Sequence, residues 1–453
     1  MLKRLVRLSW RSDPHRPNVS ASPPKVLALG FIALILIGMM LLKLPWSTTK
    51  SIGWFEAFFT AVSAVTVTGL TLFDLASGLT LFGKAVVLVL VQIGGLGFVS
   101  FTILAATTLG RHITLGQQAL AMEAFHQTNV TKLHQTAHMV VRYTLSIQLL
   151  AMALLALWWA GTGSGVGSAV LRAVFHVSMS FNNAGFILFD APADMFYRDV
   201  PTVFITTAAI ILGGIGFPVL QDLFHTRRWS RFSVYSRAVI IATIILNLFG
   251  LLVIWAIERN NPLTIQHLSW WEQGLTAWVQ TVASRTTGYE PMSVQSMHNS
   301  SVMLIMVYMF IGGGSFSTAS GIKINTIIVL FLAVRAYLQQ QNDVVLMSRT
   351  ISASTVQKAL ALVFVTVSWI IFGVFFIALF DELPFRSILF EVVSAITTTG
   401  MNNDMTSLLS RPSQILILLY MYIGRLGPLT LVYVLATRRA QRIQYAETHF
   451  QVG

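Results

Sequence analysis

Apolar positions along this chain gather into long runs separated by short polar stretches. Runs of spanning length begin near Val26, Leu81, Met139, Val200, Val239, Ser301, Ala359 and Ile415. A helix that crosses a bilayer needs about 20 such residues, so the pattern predicts eight membrane spans. Between alternate pairs lies a shorter amphiphilic stretch, followed at once by a Thr/Asn/Gly cluster. Trp54–Val65 leads into TVTGL at Thr66–Leu70, and Val170–Ser180 into FNNAGF at Phe181–Phe186. Trp270–Ala283 leads into SRTTGYE at Ser284–Glu290, and Phe385–Ile396 into TTTGMNND at Thr397–Asp404. A helix of about 12 residues rises only about 18 Å, roughly half the hydrocarbon thickness. These stretches predict re-entrant half-helices.

A second glycine cluster follows each time, inside the next span: IGGLGF at Ile93–Phe98, LGGIGF at Leu212–Phe217, IGGGSF at Ile311–Phe316 and IGRLGP at Ile423–Pro428. The paired glycines stand 24 to 28 residues apart in all four cases. Small residues that help helices pack closely would explain the second clusters, but not four pairs at matched spacing. The fold class expected is an all-α polytopic membrane protein of eight spans. It has four tandem repeats of transmembrane helix, re-entrant pore helix, filter and transmembrane helix around a central pore. The repeats fall at 26–109, 138–225, 235–338 and 356–437, with tails at 1–25 and 438–453. Each repeat crosses twice, so all four share one orientation. Inverted-repeat transporters are built differently, around a site at the midplane.

Composition removes the competing classes. Of 453 residues 55% are hydrophobic and 10% charged, whereas a soluble domain carries about 25% charged residues. The same figures exclude a disordered chain. No cysteine is present, which excludes disulfide frameworks, thiol nucleophiles and thiolate metal sites. The net charge of +13 is a topological marker, not a nucleic-acid surface. Most Lys and Arg lie in the tails and in alternate polar linkers, and acids outnumber bases on the other side. The positive-inside rule then puts both termini on the cytoplasmic side of the membrane. A cleavable signal peptide is not expected, because the first apolar run begins after Lys25 and is long enough to remain as a span.

The predicted geometry suits cations. A half-helix dipping from outside aims its negative C-terminal end at the membrane centre. The strand returning to the surface can turn backbone carbonyls toward the axis, where they replace an ion's hydration shell. Irregular backbone at that depth is tolerated only where it lines a cavity or is buried in protein. Asp74, Glu290 and Asp404 could concentrate cations at the outer mouth.

On these four repeats, each with one central glycine, the sequence resembles the Trk/Ktr/HKT superfamily of potassium transport proteins over about residues 25–440. Eight spans and a short N-terminal tail are most similar to its KtrB-type branch. The resemblance implies a selectivity filter at Gly69, Gly185, Gly288 and Gly400, with Thr66, Val67, Thr68, Asn183, Ala184, Thr286, Thr287, Thr398 and Thr399 beside them. Glycine at the first position implies preference for K⁺. It further implies a homodimer whose subunits each hold a pore, and a cytosolic KtrA-type nucleotide-binding ring that controls opening. K⁺ is the transported ion, Na⁺ a stimulating one, and no cofactor is held by the chain itself.

Two departures from repeat symmetry point to a gate. GGGSFSTASGIK at Gly312–Lys323 interrupts one span with residues of low helix propensity. It matches the family's intramembrane loop at 312–322, with Gly312, Gly313, Gly314, Ser315, Ser317, Thr318, Gly321 and Lys323 as gate residues; a kinked helix is the other reading. Arg425 takes the slot held by Gly95, Gly214 and Gly313 elsewhere. An ionisable residue at membrane depth is functional by default. It reads as an electrostatic barrier or a latch for the loop, or else as half of a buried ion pair. Arg285 and Glu391 are expected to brace half-helices. His134 and His138 stand i,i+4 without a clear third metal ligand. Absence of a GxxxxGKS loop, of an HExxH motif and of a recognisable nucleophile argues against a pump or an enzyme. The rival function is Na⁺- or H⁺-coupled potassium symport; few buried acids weaken its proton form.

Overall fold

A computed structural model describes residues 23–97, 130–189, 195–402 and 405–427, with side chains of 23–27 and 130–137 excepted. The C-terminal tail, nearly all of the N-terminal tail, Asp190, Asp194, Asp404 and the His134 side chain lie outside the described residues. His138 is exposed.

The first group of elements is α1 (Pro23–Leu42), α2 (Trp54–Thr66), a one-turn α3 (Leu75–Gly78) and α4 (Leu81–Leu96). Next come α5 (Val130–Gly161), α6 (Val166–Asn182), α7 (Val200–Gly214) and α8 (Phe217–Gln221). The third group is α9 (Val234–Glu258), α10 (Trp270–Ala283), α11 (Asn299–Phe310) and α12 (Ile324–Leu338). A small hairpin, β1 (Val344–Leu346) and β2 (Arg349–Ile351), pairs Val344 with Ile351 and leads into the last group. That group is α13 (Ala353–Phe380), α14 (Phe385–Thr397) and α15 (Arg411–Leu426).

Polarity is inverted relative to a soluble protein. Leu150, Leu157, Ile245, Leu252, Phe364 and Ile371 stand exposed on the outer helix faces, while Thr206, Asn247, Gln280 and Thr366 are buried. Among the described residues three helices are long and apolar enough to cross a membrane, His138–Gly161, Val234–Glu258 and Ala353–Phe380, and the bent pair Val200–Gly214 with Phe217–Thr226 makes a fourth if it is one span. Such a surface is stable only against hydrocarbon. This is a membrane protein.

Two of the apolar runs are broken, the second where the sequence predicts an interruption. The run from Val200 bends by 108° between Gly214 and Phe217. Gly216 there has φ 105°, Pro218 brings no N–H, and Phe217 N–H donates outside the helix, to Phe316 O at 2.9 Å. The run from Ser301 stops at Phe310 and resumes at Ile324.

Four helices of 13, 17, 14 and 13 residues (α2, α6, α10 and α14) form the buried centre. At 1.5 Å per residue they reach about 20 to 26 Å, less than a hydrocarbon core. Each packs against the long helix before it: α1 on α2, α5 on α6, α9 on α10 and α13 on α14. The groups then interlock, α4 against α6, α7 against α10, α11 against α14 and α15 against α2. The series of contacts returns to its start.

Second-cluster glycines make this seating possible. A Cβ on Gly94 would lie 2.1 Å from Val65 O, on Gly213 1.8 Å from Phe181 O, and on Gly424 2.2 Å from Ile396 O. In each case the helix rests on the carbonyl four residues before the first-cluster glycine. That contact is the physical origin of the matched spacing. In the third group Gly312 instead meets Ser320 O, at 2.0 Å from a Cβ, because the helix there has given way to a loop.

Gly213→Ala should therefore cost about 1–3 kcal/mol through overpacking, read as a fall of several degrees in the melting temperature of the solubilised protein. Gly274→Ala, whose Cβ meets nothing within 4 Å, should hold or raise it. Equal melting temperatures would show that α7 has room to move off α6.

Candidate functional site

At the ends of α2, α6 and α14 the chain leaves the helix through one left-handed residue: Val67 (φ 57°), Asn183 (58°) and Thr398 (49°). Asn tolerates this region, whereas β-branched Val and Thr rarely enter it. Strain of this kind collects at functional sites. The next amide in each case, on Thr68, Ala184 and Thr399, donates to the carbonyl five residues back, on Ser63, Met179 and Ser394. The strands then pass through Gly69, Gly185 and Gly400 at φ 103°, 67° and 83°. The third exit differs. α10 stops at Ala283, Thr287 N–H donates to Ala283 O at 2.9 Å, and the positive φ before Gly288 falls on Thr286, at 112°.

The four strands meet in a closed ring. A Cβ on Gly69 would lie 2.5 Å from Ala184 O, on Gly185 2.0 Å from Thr287 O, on Gly288 2.5 Å from Thr399 O, and on Gly400 1.8 Å from Thr68 O. Each glycine thus abuts the carbonyl that precedes the next one. Hydroxyls pair within the first and fourth strands, Thr66 with Thr68 at 2.8 Å and Thr397 with Thr399 at 2.9 Å. On the outer side Glu290 Oε1 accepts from Asn402 N–H at 2.6 Å, which joins the third and fourth strands just past their glycines. Asp74 instead caps its own turn, accepting from the amides of Ala76 and Ser77, and the bond from the Ser77 hydroxyl does most to hold its carboxyl below the usual 3.8. Glu391 is buried in α14 and accepts from the Thr406 hydroxyl.

Residues 311–323 form an extended loop. Gly312 N–H donates to Ile322 O (2.9 Å) and Ile324 N–H to Gly313 O (3.0 Å), closing its base. Gly314 and Thr318 amides donate to the carbonyls of Gly214 and Gly213 at 2.8 and 3.1 Å, lodging the loop against the bend after α7. Ser317 Oγ donates to Gly314 O, and Lys323 Nζ to Ala319 O. Arg425 spans the gap between this loop and the first group. Its Nη1 donates to Thr318 O at 2.7 Å and Ser320 Oγ at 2.9 Å; its Nη2 donates to Gly95 O at 3.2 Å and to Gly94 O.

A family model described as TrkH, cation transport protein, matches residues 7–442. The chain belongs to the TrkH family of cation transport proteins. It is 37% identical to the Ktr system potassium uptake protein B of Bacillus subtilis (strain 168), covering 96% of this chain and 98% of that one. Against the potassium/sodium uptake protein NtpJ of Enterococcus hirae identity is 31%, over 95% and 97%. The fold is similar to the crystal structure of the potassium transporter TrkH from Vibrio parahaemolyticus, with TM-score 0.72 at 18% identity, over 93% of this chain and 87% of that one.

Residues singled out from sequence thus come together in two adjoining places in this family member, the glycine ring and the loop with Arg425. Arg285 reaches beyond the half-helix it was expected to brace. It ties the end of α10 to Asn247 on α9 (Nη1 to Oδ1, 3.4 Å) and to the loop (Nη2 to Gly312 O, 3.1 Å). Two contributors had no sequence signal of their own. Tyr289, buried directly after Gly288, stacks on His176 with ring centres 5.4 Å apart and shares a hydrogen bond with Ser180 Oγ at 3.1 Å. Ser63 Oγ accepts from Gly69 N–H at 3.1 Å.

Proposed function

We infer that the chain is the ion-translocating membrane subunit of a potassium uptake system, passing K⁺ down its electrochemical gradient. One observation carries the reading: the closed ring of backbone carbonyls on Thr68, Ala184, Thr287 and Thr399, each against a glycine. Its donors are neutral oxygens. No group of three or more His, Cys, Asp or Glu that could hold a metal occurs among the described residues. Neutral carbonyls can replace the hydration shell of a weakly hydrated monovalent cation and still release it, whereas divalent ions are retained by carboxylates. The names of the relatives, potassium uptake protein B and potassium/sodium uptake protein, support K⁺ as cargo.

In this reading the repeats at 26–109, 138–225, 235–338 and 356–437 surround one pore, with eight spans. Their filter residues are Thr66–Gly69, Asn183–Gly185, Thr286–Gly288 and Thr398–Gly400. The loop at 312–322 is the gate, with Arg425 as its latch. The subunit works as a homodimer in the plasma membrane, termini in the cytoplasm, and a cytosolic KtrA-type ring sets loop position by binding nucleotide. The relative named as a potassium/sodium uptake protein favours one second reading, Na⁺-coupled symport. Reversal potentials in proteoliposomes at varied Na⁺ and K⁺ separate the two, since coupling shifts them with stoichiometry.

Gly69→Ser places an atom where a Cβ already meets Ala184 O at 2.5 Å, so K⁺ preference over Na⁺ should fall. Uptake kinetics for both ions identical to the parent would falsify the filter assignment.

The gate has its own test. Removing Ser315–Ser317 should raise maximal K⁺ flux and weaken dependence on the partner. Arg425→Ala should act in the same direction by a smaller amount. Arg425→Lys keeps the charge but not the fork that spans the loop and Gly95. A latch predicts that Lys behaves like Ala; a pure charge barrier predicts that it behaves like the parent.

A further inference from the structure

The second and third ring strands carry a side-chain bridge to the intramembrane loop. Asn183 Nδ2 donates to Thr318 Oγ1 at 2.8 Å, while its Oδ1 accepts from Thr287 Oγ1 at 2.7 Å. Thr318 Oγ1 donates onward to Phe181 O at 2.9 Å. Asn183, Thr287 and Thr318 are all buried. Thr318 is also the loop residue whose carbonyl takes Arg425, at 2.7 Å. The same short segment is therefore held by the latch on one side and by the ring on the other. In the first and fourth strands the threonine hydroxyls pair within their own strand. A cavity of about 20 Å³ adjoins the bridge, lined by Asn183, Asn247, Arg285, Gly313 and Ala319 among others.

We propose that Asn183 is a positioning residue that couples the loop to the ion-binding ring. The proposal rests on the filter-and-gate reading above. When Thr318 leaves, Asn183 Nδ2 loses its acceptor. The amide is then free to rotate and to release the Thr287 hydroxyl, whose own carbonyl stands against Gly185. Ring geometry on the second and third strands thus differs between loop positions, and so does affinity for the ion. Coupling between two sites is reciprocal. K⁺ in the ring therefore biases the loop, and the transported ion regulates its own gate.

The test uses the full-length protein in liposomes, with initial K⁺ uptake measured against K⁺ concentration and K⁺/Na⁺ preference recorded alongside. Thr318→Val, which keeps shape and removes the hydroxyl, should shift the KM for K⁺ about fivefold, the factor expected for one hydrogen bond. Thr318→Ser should restore it. Asn183→Ala should shift KM in the same direction, and the double variant should shift it no further than the larger single one. If Thr318→Val proves unstable, Thr287→Val breaks the bridge at its other end and must give the same shift. A change in maximal rate with KM unmoved, or two single shifts that multiply in the double variant, overturns the coupling. Gly69→Ser run in parallel keeps the two failures apart. Altered preference there with KM unmoved in Thr318→Val sinks only the bridge; unaltered preference sinks the filter reading beneath it.

Discussion

Everything else in this molecule depends on bringing bare backbone against bare backbone at membrane depth. A carbonyl in hydrocarbon must have a partner, and a Cβ holds neighbouring backbone away. The chain resolves this twice with the same residue. First-cluster glycines let each strand reach the next one's carbonyl, so that four strands close at separations a methyl group could not occupy. Second-cluster glycines seat α4, α7 and α15 on the carbonyls of Val65, Phe181 and Ile396, which fixes where three of the short helices end. The ring is thus positioned by contacts one turn behind it, and the outer helices act as its frame.

The departures from symmetry share a logic. Arg285 stands where the other strands have Thr66, Asn182 and Thr397, and Arg425 where three groups have glycine. Both guanidiniums reach the same loop, one at its base through Gly312 O and one at its far side through Thr318 O and Ser320 Oγ. A planar fork of donors suits scattered carbonyls better than a compact ammonium does. Each arginine replaces a small or neutral residue, Arg285 in the group where the helix has been lost and Arg425 in the group that follows, and both supply donors to the loop.

How much of this was legible in the sequence follows from what each feature depends on. Short-helix positions read well, Trp270–Ala283 to the residue and the other three within four at either end, because the cluster after each one terminates it chemically. The glycine spacing was visible for the same reason: it records a distance along one local hairpin of helices. The bend after Gly214 was not, since Gly216 and Pro218 sit in a run as apolar as any other. Asn183 was placed in the filter by its neighbours, but its bond to Thr318 joins residues 135 positions apart. No local pattern records such a pair. Arg285 was expected to brace a half-helix, but its bond to the loop at Gly312 O was not legible, because sequence shows that a buried charge needs partners without saying which.

The gate proposal requires a movable segment in a structure this closely packed at its centre, and the choice of partners is compatible with one. A buried ion pair is broken only at the cost of stranding two charges, about 3–5 kcal/mol when one partner is removed. Arg425 instead bonds to three carbonyls and a hydroxyl, charge-assisted bonds to groups that carry no charge of their own. If the loop withdraws, the guanidinium keeps the carbonyls of Gly94 and Gly95, and no carboxylate is left behind. The loop in turn keeps its base, because Gly312 to Ile322 and Ile324 to Gly313 are backbone bonds made within it. On the gate reading, what separates two loop positions is a set of hydrogen bonds without an ion pair, those to Phe181, Asn183, Gly213, Gly214, Phe217, Tyr235 and Arg425. In that proposal, an ion in the ring or a regulatory protein acts by shifting the balance of these bonds, with no ion pair to break.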